Sequence, residues 1–360
     1  MRVSALALLL ARVALALHPF APRSPPLLPR PFFNGWCLRC TDPRTGASAS
    51  AIVGSFSRGR GRYASHLVAV TARAPGESGA LASSSAQRVY DGDACRFTRR
   101  GGEAPAFAFL APCGELVSDG GALRARFSLP DGGGGYVSVE IAGEDVGEAG
   151  WAGGGAEGWL GSRLARWALP CRYHVRSLAS AARCEARADG AAFATDGALL
   201  HAESNFGRAF PTAWTWCQAA AEDATLLAVG GAFRVGPAAL PNTWLVKFAT
   251  PDIDWAFRTT DARTSAATAA LDPPPGGGTL KLAVVRRVRG ETRALEIAAE
   301  GSHFLEPLAV PTKTGFSKDP GTRECLDATV RVTALLDGVE VASRTFDGAC
   351  LEFGGAHLLS

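Results

Sequence analysis

From Phe32 onward, apolar and polar residues alternate with a period of two, in runs cut by Gly, Asp and Pro. The pattern is plain in Ser65 to Thr71, Leu123 to Leu129, Tyr136 to Ile141 and Thr279 to Val285. Alternation places successive side chains on opposite faces, so each run predicts a strand with one buried and one solvated face. Near the C-terminus Ala328 to Leu336 alternates, Asp337-Gly338 supplies a two-residue turn, and Val339 to Phe346 returns, which predicts a hairpin within an antiparallel meander. The 42 Gly and 22 Pro fall largely between such runs, as turns do in an all-β chain. One stretch departs: Gly158 to Leu169 spaces Leu160, Leu164 and Trp167 as a helix would, and a short helix is expected there. Strand count and turn spacing suit one long sandwich or two barrels in tandem, with a boundary between Cys184 and Gly197.

The 360 residues, nearly half of them hydrophobic, are enough for one large or two medium cores. The formal charge of +3 comes from Arg2, Arg12, Arg23 and Arg30; without them 33 basic residues face 34 acidic ones. A neutral body with no long basic block excludes the electrostatic footprint of a nucleic-acid binder. Gly132 to Gly135 and Gly153 to Gly155 lack the strand-to-helix context and Lys of a phosphate loop, and read as turns. Nine cysteines, an odd number spread from Cys37 to Cys350, read as reduced thiols rather than a disulfide framework. Cys37 and Cys40 have a zinc-like gap, but no second pair follows at ligand spacing, so they are expected to be strand cysteines.

Residues 3 to 17 are apolar, too short and too interrupted by Arg12 to span a bilayer, and they follow a basic residue as in a signal peptide. His18-Pro19-Phe20-Ala21-Pro22 and an acid-free, Pro- and Arg-rich run to Arg30 come next. Together they resemble the bipartite leaders of complex plastids, with a Phe at the cleavage point. Residues 1–30 are thus expected to be a leader with a plastid address; plain secretion is the other reading.

The segment His201 to Gln218 gathers two Trp, two Phe, a carboxylate and two side-chain amides in eighteen residues. Trp214, Trp216 and Gln218 follow at intervals of two, so one strand face carries an aromatic wall ending in an amide, suited to an apolar pocket. Ala202, Glu203, Asn205, Gly207, Phe210, Pro211, Trp214, Trp216 and Gln218 resemble the tocopherol cyclase signature, Ala-Glu-Lys-Asn-Trp-Gly, a Phe-Pro pair and Trp-x-Trp-x-Gln. Ser204 stands for its lysine and Phe206 for its tryptophan. Phe33-Asn34-Gly35-Trp36, Cys171 to Leu178 with Tyr173 and His174, and Glu352-Phe-Gly-Gly355 resemble three further family stretches in the same order.

This resemblance, over roughly residues 32 to 355, implies an all-β fold of two lipocalin-like antiparallel β-barrels in tandem, with the short helix between or beside them. The expected barrels are 31–190 and 191–360. It also implies an isomerase that closes the chromanol ring of a prenylated benzoquinol, with no cofactor and no metal. Such a reaction needs an acid to protonate an alkene, aromatic faces to hold the cation, and exclusion of water. Glu203 is expected to donate or relay the proton, with His174 and Asn205 orienting it or the phenol. Trp214, Trp216, Phe206, Tyr173, Gln218, Trp36 and His66 are expected to line the substrate site, and Asp254 is a spare acid. Plainer roles stand beside these: Glu203 paired with Arg208, His174 and His66 as core histidines. Contact with plastid lipid droplets or membranes is expected. A hydratase, or a non-catalytic prenyl-lipid carrier, fits the same residues.

Overall fold

The computed structural model describes residues 18, 20–76, 78–99, 106–149, 169–188, 190–235, 238–239, 242–261 and 265–359. Among them there is no α-helix; strands form two large antiparallel sheets and one small ribbon. The helix expected over Gly158 to Leu169 and the turn at Gly153 to Gly155 lie outside the described residues, Leu169 excepted.

The first sheet has 11 strands: β1 (Phe32–Thr41), β2 (Ser48–Ser57), β3 (Ser65–Pro75), β4 (Leu81–Asp91), β5 (Arg96–Arg99), β6 (Phe107–Ala111), β7 (Gly114–Asp119), β8 (Ala122–Pro130), β9 (Tyr136–Gly143), β10 (Cys171–Ala188) and β11 (Ala191–Gly207). The rest are β12 (Ala213–Ala221), β13 (Ala224–Ala232), β14 (Arg234–Val235), β15 (Ala238–Ala239), β16 (Thr243–Ala249), β17 (Asp254–Arg258), β18 (Ser265–Asp272), β19 (Thr279–Val288), β20 (Glu291–Glu300), β21 (Leu308–Pro311), β22 (Phe316–Leu336) and β23 (Val339–Gly355). Ten of these make the second sheet, and β14 with β15 the ribbon.

Both sheets are wound alike. The last strand pairs with the first, β11 on β1 and β23 on β12, and in each sheet the last two strands form a long hairpin. The β22–β23 hairpin turns at Asp337-Gly338, both with positive φ, the conformation that a two-residue turn between twisted strands requires. Each sheet curls around its own apolar core, the first built on Phe109, Phe127, Leu116 and Ile141, the second on Phe248, Phe353, Leu295 and Val330. The architecture is a tandem lipocalin-like double barrel, as expected. The chain passes from one barrel to the other at 208–212, so Ala191 to Gly207, expected at the head of the second barrel, is the closing strand of the first.

Burial along the strands shows where the barrels meet. β8, Ala122–Pro130, buries every second residue against solvent, as alternation predicts. β2 and β12 are buried on both faces over most of their length. The second buried face is the seam, where Phe33, Cys171 and Val175 of the first sheet pack on Trp216, Leu227, Leu245 and Cys350 of the second. Cys37 and Cys40, three residues apart on β1, therefore point opposite ways, Cys37 to the seam and Cys40 into the first core beside Cys184. They share no ligand site.

Part of the stretch expected to be leader packs on the first barrel. Phe20 is fully buried in the first barrel, beside Phe107, and its carbonyl accepts the Trp36 indole N–H at 2.8 Å. Arg23 is tied down by Asn34, whose amide donates to the Arg23 carbonyl at 2.9 Å.

Candidate active site

The segment His201 to Gln218 is the crossing between the barrels. Its first half ends β11, its second half opens β12, and the two strands face each other across the seam. The single run therefore supplies both walls of a cavity with about 1310 Å³ of space between its atoms, open mouth included. The cavity lies between the barrels and not in either lumen, because both lumens are filled by side chains.

On the first wall, odd-numbered residues of β11 face the cavity. Glu203 sits between Cys37 and Val175 of the neighbouring strands, and Asn205 between Gly35 and Tyr173. Three groups converge on one oxygen of Glu203, Oε2: the Tyr173 hydroxyl donates to it, the Trp216 indole N–H donates at 3.0 Å, and His201 Nε2 lies 2.8 Å away. No Arg208 pairing is among these bonds. Burial first, and then the Glu203 charge, push the Tyr173 phenol well above its ordinary range, so it stays a donor. Gly35 leaves room for the Asn205 amide, whose oxygen a Cβ there would push aside.

The second wall holds two more acids. Glu324 of β22, buried, and Glu352 of β23, partly buried, stand opposite one another and are hydrogen-bonded carboxyl to carboxyl. Burial, and then the charge of Glu352, raise Glu324 to about 8 against the pull of Arg39. Burial raises Glu352 to about 6, opposed by hydrogen bonds from Trp214 and Thr322. Two carboxylates this close cannot both be ionised in an apolar site, so the pair holds a proton at neutral pH. Glu324 Oε2 is buried with no partner, beside the cavity. The Trp214 indole donates to Glu352, and its ring lies over Gly354 and Gly355, where any Cβ would overlap it.

Arg39 is the fully buried cation of the site. Its guanidinium donates to Thr41 Oγ1 at 2.5 Å, to Gln218 Oε1 at 2.6 Å and to the Gly348 carbonyl at 2.9 Å, which ties β1 to β12 and β23. One guanidinium among three carboxyls leaves the cavity acid-rich, and much of the remaining lining is apolar, including Ile52, Leu67, Phe210, Val229, Leu245 and Phe316.

Several expected residues stand elsewhere. His174 and Phe206 lie on the opposite strand face from Tyr173, Glu203 and Asn205, as a period of two dictates. His174 pairs with Glu148, Nε2 to Oε2 at 3.4 Å, and His18 reaches the same carboxylate at 3.1 Å. These three bring their ligand atoms within 4.8 Å of one another, yet Arg176 also lies 3.6 Å from Glu148. Phe206 packs under Arg23, 5.0 Å from guanidinium carbon to ring centre. Ser204 shares that inward face, so both departures from the signature point away from the cavity. Trp36 borders the cavity, but its ring stacks with Phe97 and Phe107 in the first core. His66 is a core histidine: Nε2 donates to the Gly92 carbonyl at 3.3 Å, Nδ1 accepts from Ser55 at 2.8 Å, and burial lowers it to about 4. Gln218 reaches the site only through Arg39. Asp254 pairs with Lys247 at 3.1 Å. Tyr173, Glu203, Asn205, Trp214 and Trp216 do come together.

Arg39, Glu324 and the role of Glu352 escaped the sequence reading. Glu352 sits in a stretch already singled out, and an Arg inside the Cys37 to Thr41 strand is a visible anomaly, but nothing local to Glu324 marks it.

No family model and no curated protein matches the sequence. Solved structures do match. The crystal structure of CghA with Sch210972 superposes with a TM-score of 0.58 at 13% identity, over 94% of this chain and 95% of that one. A second crystal structure of CghA gives a TM-score of 0.58 at 12% identity, over 94% and 96%. At such identity the likeness is one of fold alone. The chain shares, over nearly its whole length, the two-barrel fold of CghA.

Proposed function

We propose that the chain is a Brønsted-acid cyclase that closes the chromanol ring of a prenylated benzoquinol bound between the two barrels. The observation that carries this reading is the pair of unlike acid sites in one apolar cavity. Glu324 and Glu352 share a proton held to about 8, while three groups gather on a single Glu203 oxygen. A carboxyl pair that keeps a proton at neutral pH can serve as the acid, and Glu203, ringed by hydrogen-bonding groups in the same cavity, is placed to accept one.

The Glu324–Glu352 pair protonates the alkene carbon nearest the ring that leaves a tertiary cation. The phenol oxygen attacks that cation, forming the C–O bond, and the phenol proton passes to Glu203. One proton is given and one received, so the substrate isomerises with no co-reactant. Trp214 and Trp216 present aromatic faces toward the cation, worth about 2 kcal/mol when desolvated. The apolar lining keeps out water, which would otherwise capture the cation as an alcohol. All four stretches that resemble the tocopherol cyclase pattern meet here, through Gly35, Tyr173, Glu203 with Trp214 and Trp216, and Glu352 with Gly354.

The test is product analysis after incubating purified protein with a prenylated benzoquinol. Chromanol is expected, and Glu203→Gln is expected to lower its rate roughly 100-fold or more, as loss of a positioned acid–base group does. A tertiary alcohol as sole product would assign hydration instead. Tight binding with no turnover would leave a prenyl-lipid carrier.

A further inference from the structure

We propose that the surface beside the cavity mouth docks on an anionic lipid bilayer, from which an apolar substrate enters. Leu27 and Leu28 are the most exposed large hydrophobic side chains among the described residues, at 84% and 70%. They are held out rather than left loose. Arg60 N–H donates to the Leu27 carbonyl at 3.2 Å and Gly61 N–H to the Pro26 carbonyl at 3.1 Å, so the 26–28 loop is clamped on the 59–61 loop. Gly59, with φ of 95°, lets the two backbones touch, since a Cβ there would strike the Leu28 carbonyl. Two adjacent leucines held out in water from a fixed loop mark a surface that something apolar receives.

The surroundings specify what receives them. Arg30, Arg58, Arg60 and Arg62 are all exposed on the same two loops, and no acidic residue occurs in 20–41 or 48–75. The patch runs on to the cavity. Arg58 donates to the Thr314 carbonyl at 3.1 Å; that loop carries exposed Lys313, and the start of β22 just after it carries exposed Lys318 and Asp319. Its Phe316 packs against Phe56 and is, with Pro311, a half-exposed member of the cavity lining. Projecting leucines ringed by arginines match the boundary of an anionic bilayer, where acyl chains take the apolar groups and headgroups the cations. Nucleic acid would satisfy the arginines and leave the leucines wet.

What the surface loads rests on the prenyl-lipid reading of the cavity; the docking itself is measured without substrate or turnover, so either can fail alone. Full-length protein is mixed with phosphatidylcholine vesicles, with and without phosphatidylglycerol, and amide exchange is followed by mass spectrometry. Slower exchange in 24–31 and 57–63 is expected on the anionic vesicles only, and added salt should reverse it. This local readout is separate from any binding by the apolar residues 3 to 17. Arg58→Gln with Arg60→Gln and Arg62→Gln should weaken that protection roughly 100-fold in lipid concentration, at about fivefold per cation. Leu27→Ser with Leu28→Ser should weaken it to a similar degree, with unchanged circular dichroism. Equal protection by neutral vesicles, unchanged exchange on anionic ones, or variants that dock like the parent would overturn the proposal. Protection by a soluble acidic polypeptide but not by vesicles would also overturn it, assigning the surface to a protein.

Discussion

The lumens of the two barrels and the seam between them are both buried, yet they are built on opposite rules. In the lumens the inward residues are mostly apolar, and the polar exceptions are held by hydrogen bonds: His66 is neutral between Ser55 and Gly92, and Arg176 donates to Ser118 and the Gly120 carbonyl. In the seam two buried carboxyls, a third half-buried one and a buried guanidinium gather together, and Glu324 keeps an oxygen with no partner. Burying charge that densely is expensive, and apolar residues of the same size would be at least as stable. The lumens therefore hold the fold, and the seam gathers ionisable groups at some cost to it.

That contrast predicts different consequences for single changes. Glu324→Gln keeps the shape and removes the proton store, so chromanol formation should fall by roughly 10²- to 10⁴-fold with no loss of melting temperature. A large drop in melting temperature with retained turnover would reverse the roles given to lumen and seam. Phe353→Ala, in the second core, should instead cost about 3–5 kcal/mol in denaturant unfolding while the surviving folded protein keeps its turnover.

The two regions also differ in their response to pH. Glu324 is raised in the folded chain from an ordinary value of 4.5 to about 8. Its contribution to stability is complete below the ordinary value and is lost as pH rises to about 8; acid-catalysed turnover should fall above the same point. His66 is lowered to about 4, so its contribution is present above pH 6.5 and is lost as pH falls through 4. Unfolding measured across pH should show the first slope vanish in Glu324→Gln and the second in His66→Phe, each leaving the other in place. The smallest effect is expected from Gly35→Ala. Its methyl displaces Asn205, and turnover should drop about tenfold with little change in stability, a displacement of an ångström or less being enough.

Much of the fold was legible in advance because strand alternation is a local property. The β22–β23 hairpin and its Asp337-Gly338 turn follow directly from residue order. The same periodicity carries a lesson about the site residues. Glu203 and Asn205 share a face with each other and not with Phe206, and Tyr173 cannot share one with His174. Grouping those residues by nearness in sequence overlooked the period that defined their strands. The cysteines at 37 and 40 separate for the same reason.

The sequence by itself determined the strands, their turns, and the aromatic and acidic composition of the crossing from Glu203 to Trp216. It did so because each depends on neighbours within a few residues. Only the tertiary structure decided that the site is a seam and not a lumen, since that depends on which strand faces stay buried once two sheets meet. It also brought Glu324 opposite Glu352, and set both across from Glu203, which no local pattern records. A carboxyl is an unremarked polar residue in the chain; folded beside a second one in an apolar cavity, it becomes an acid that keeps its proton at neutral pH.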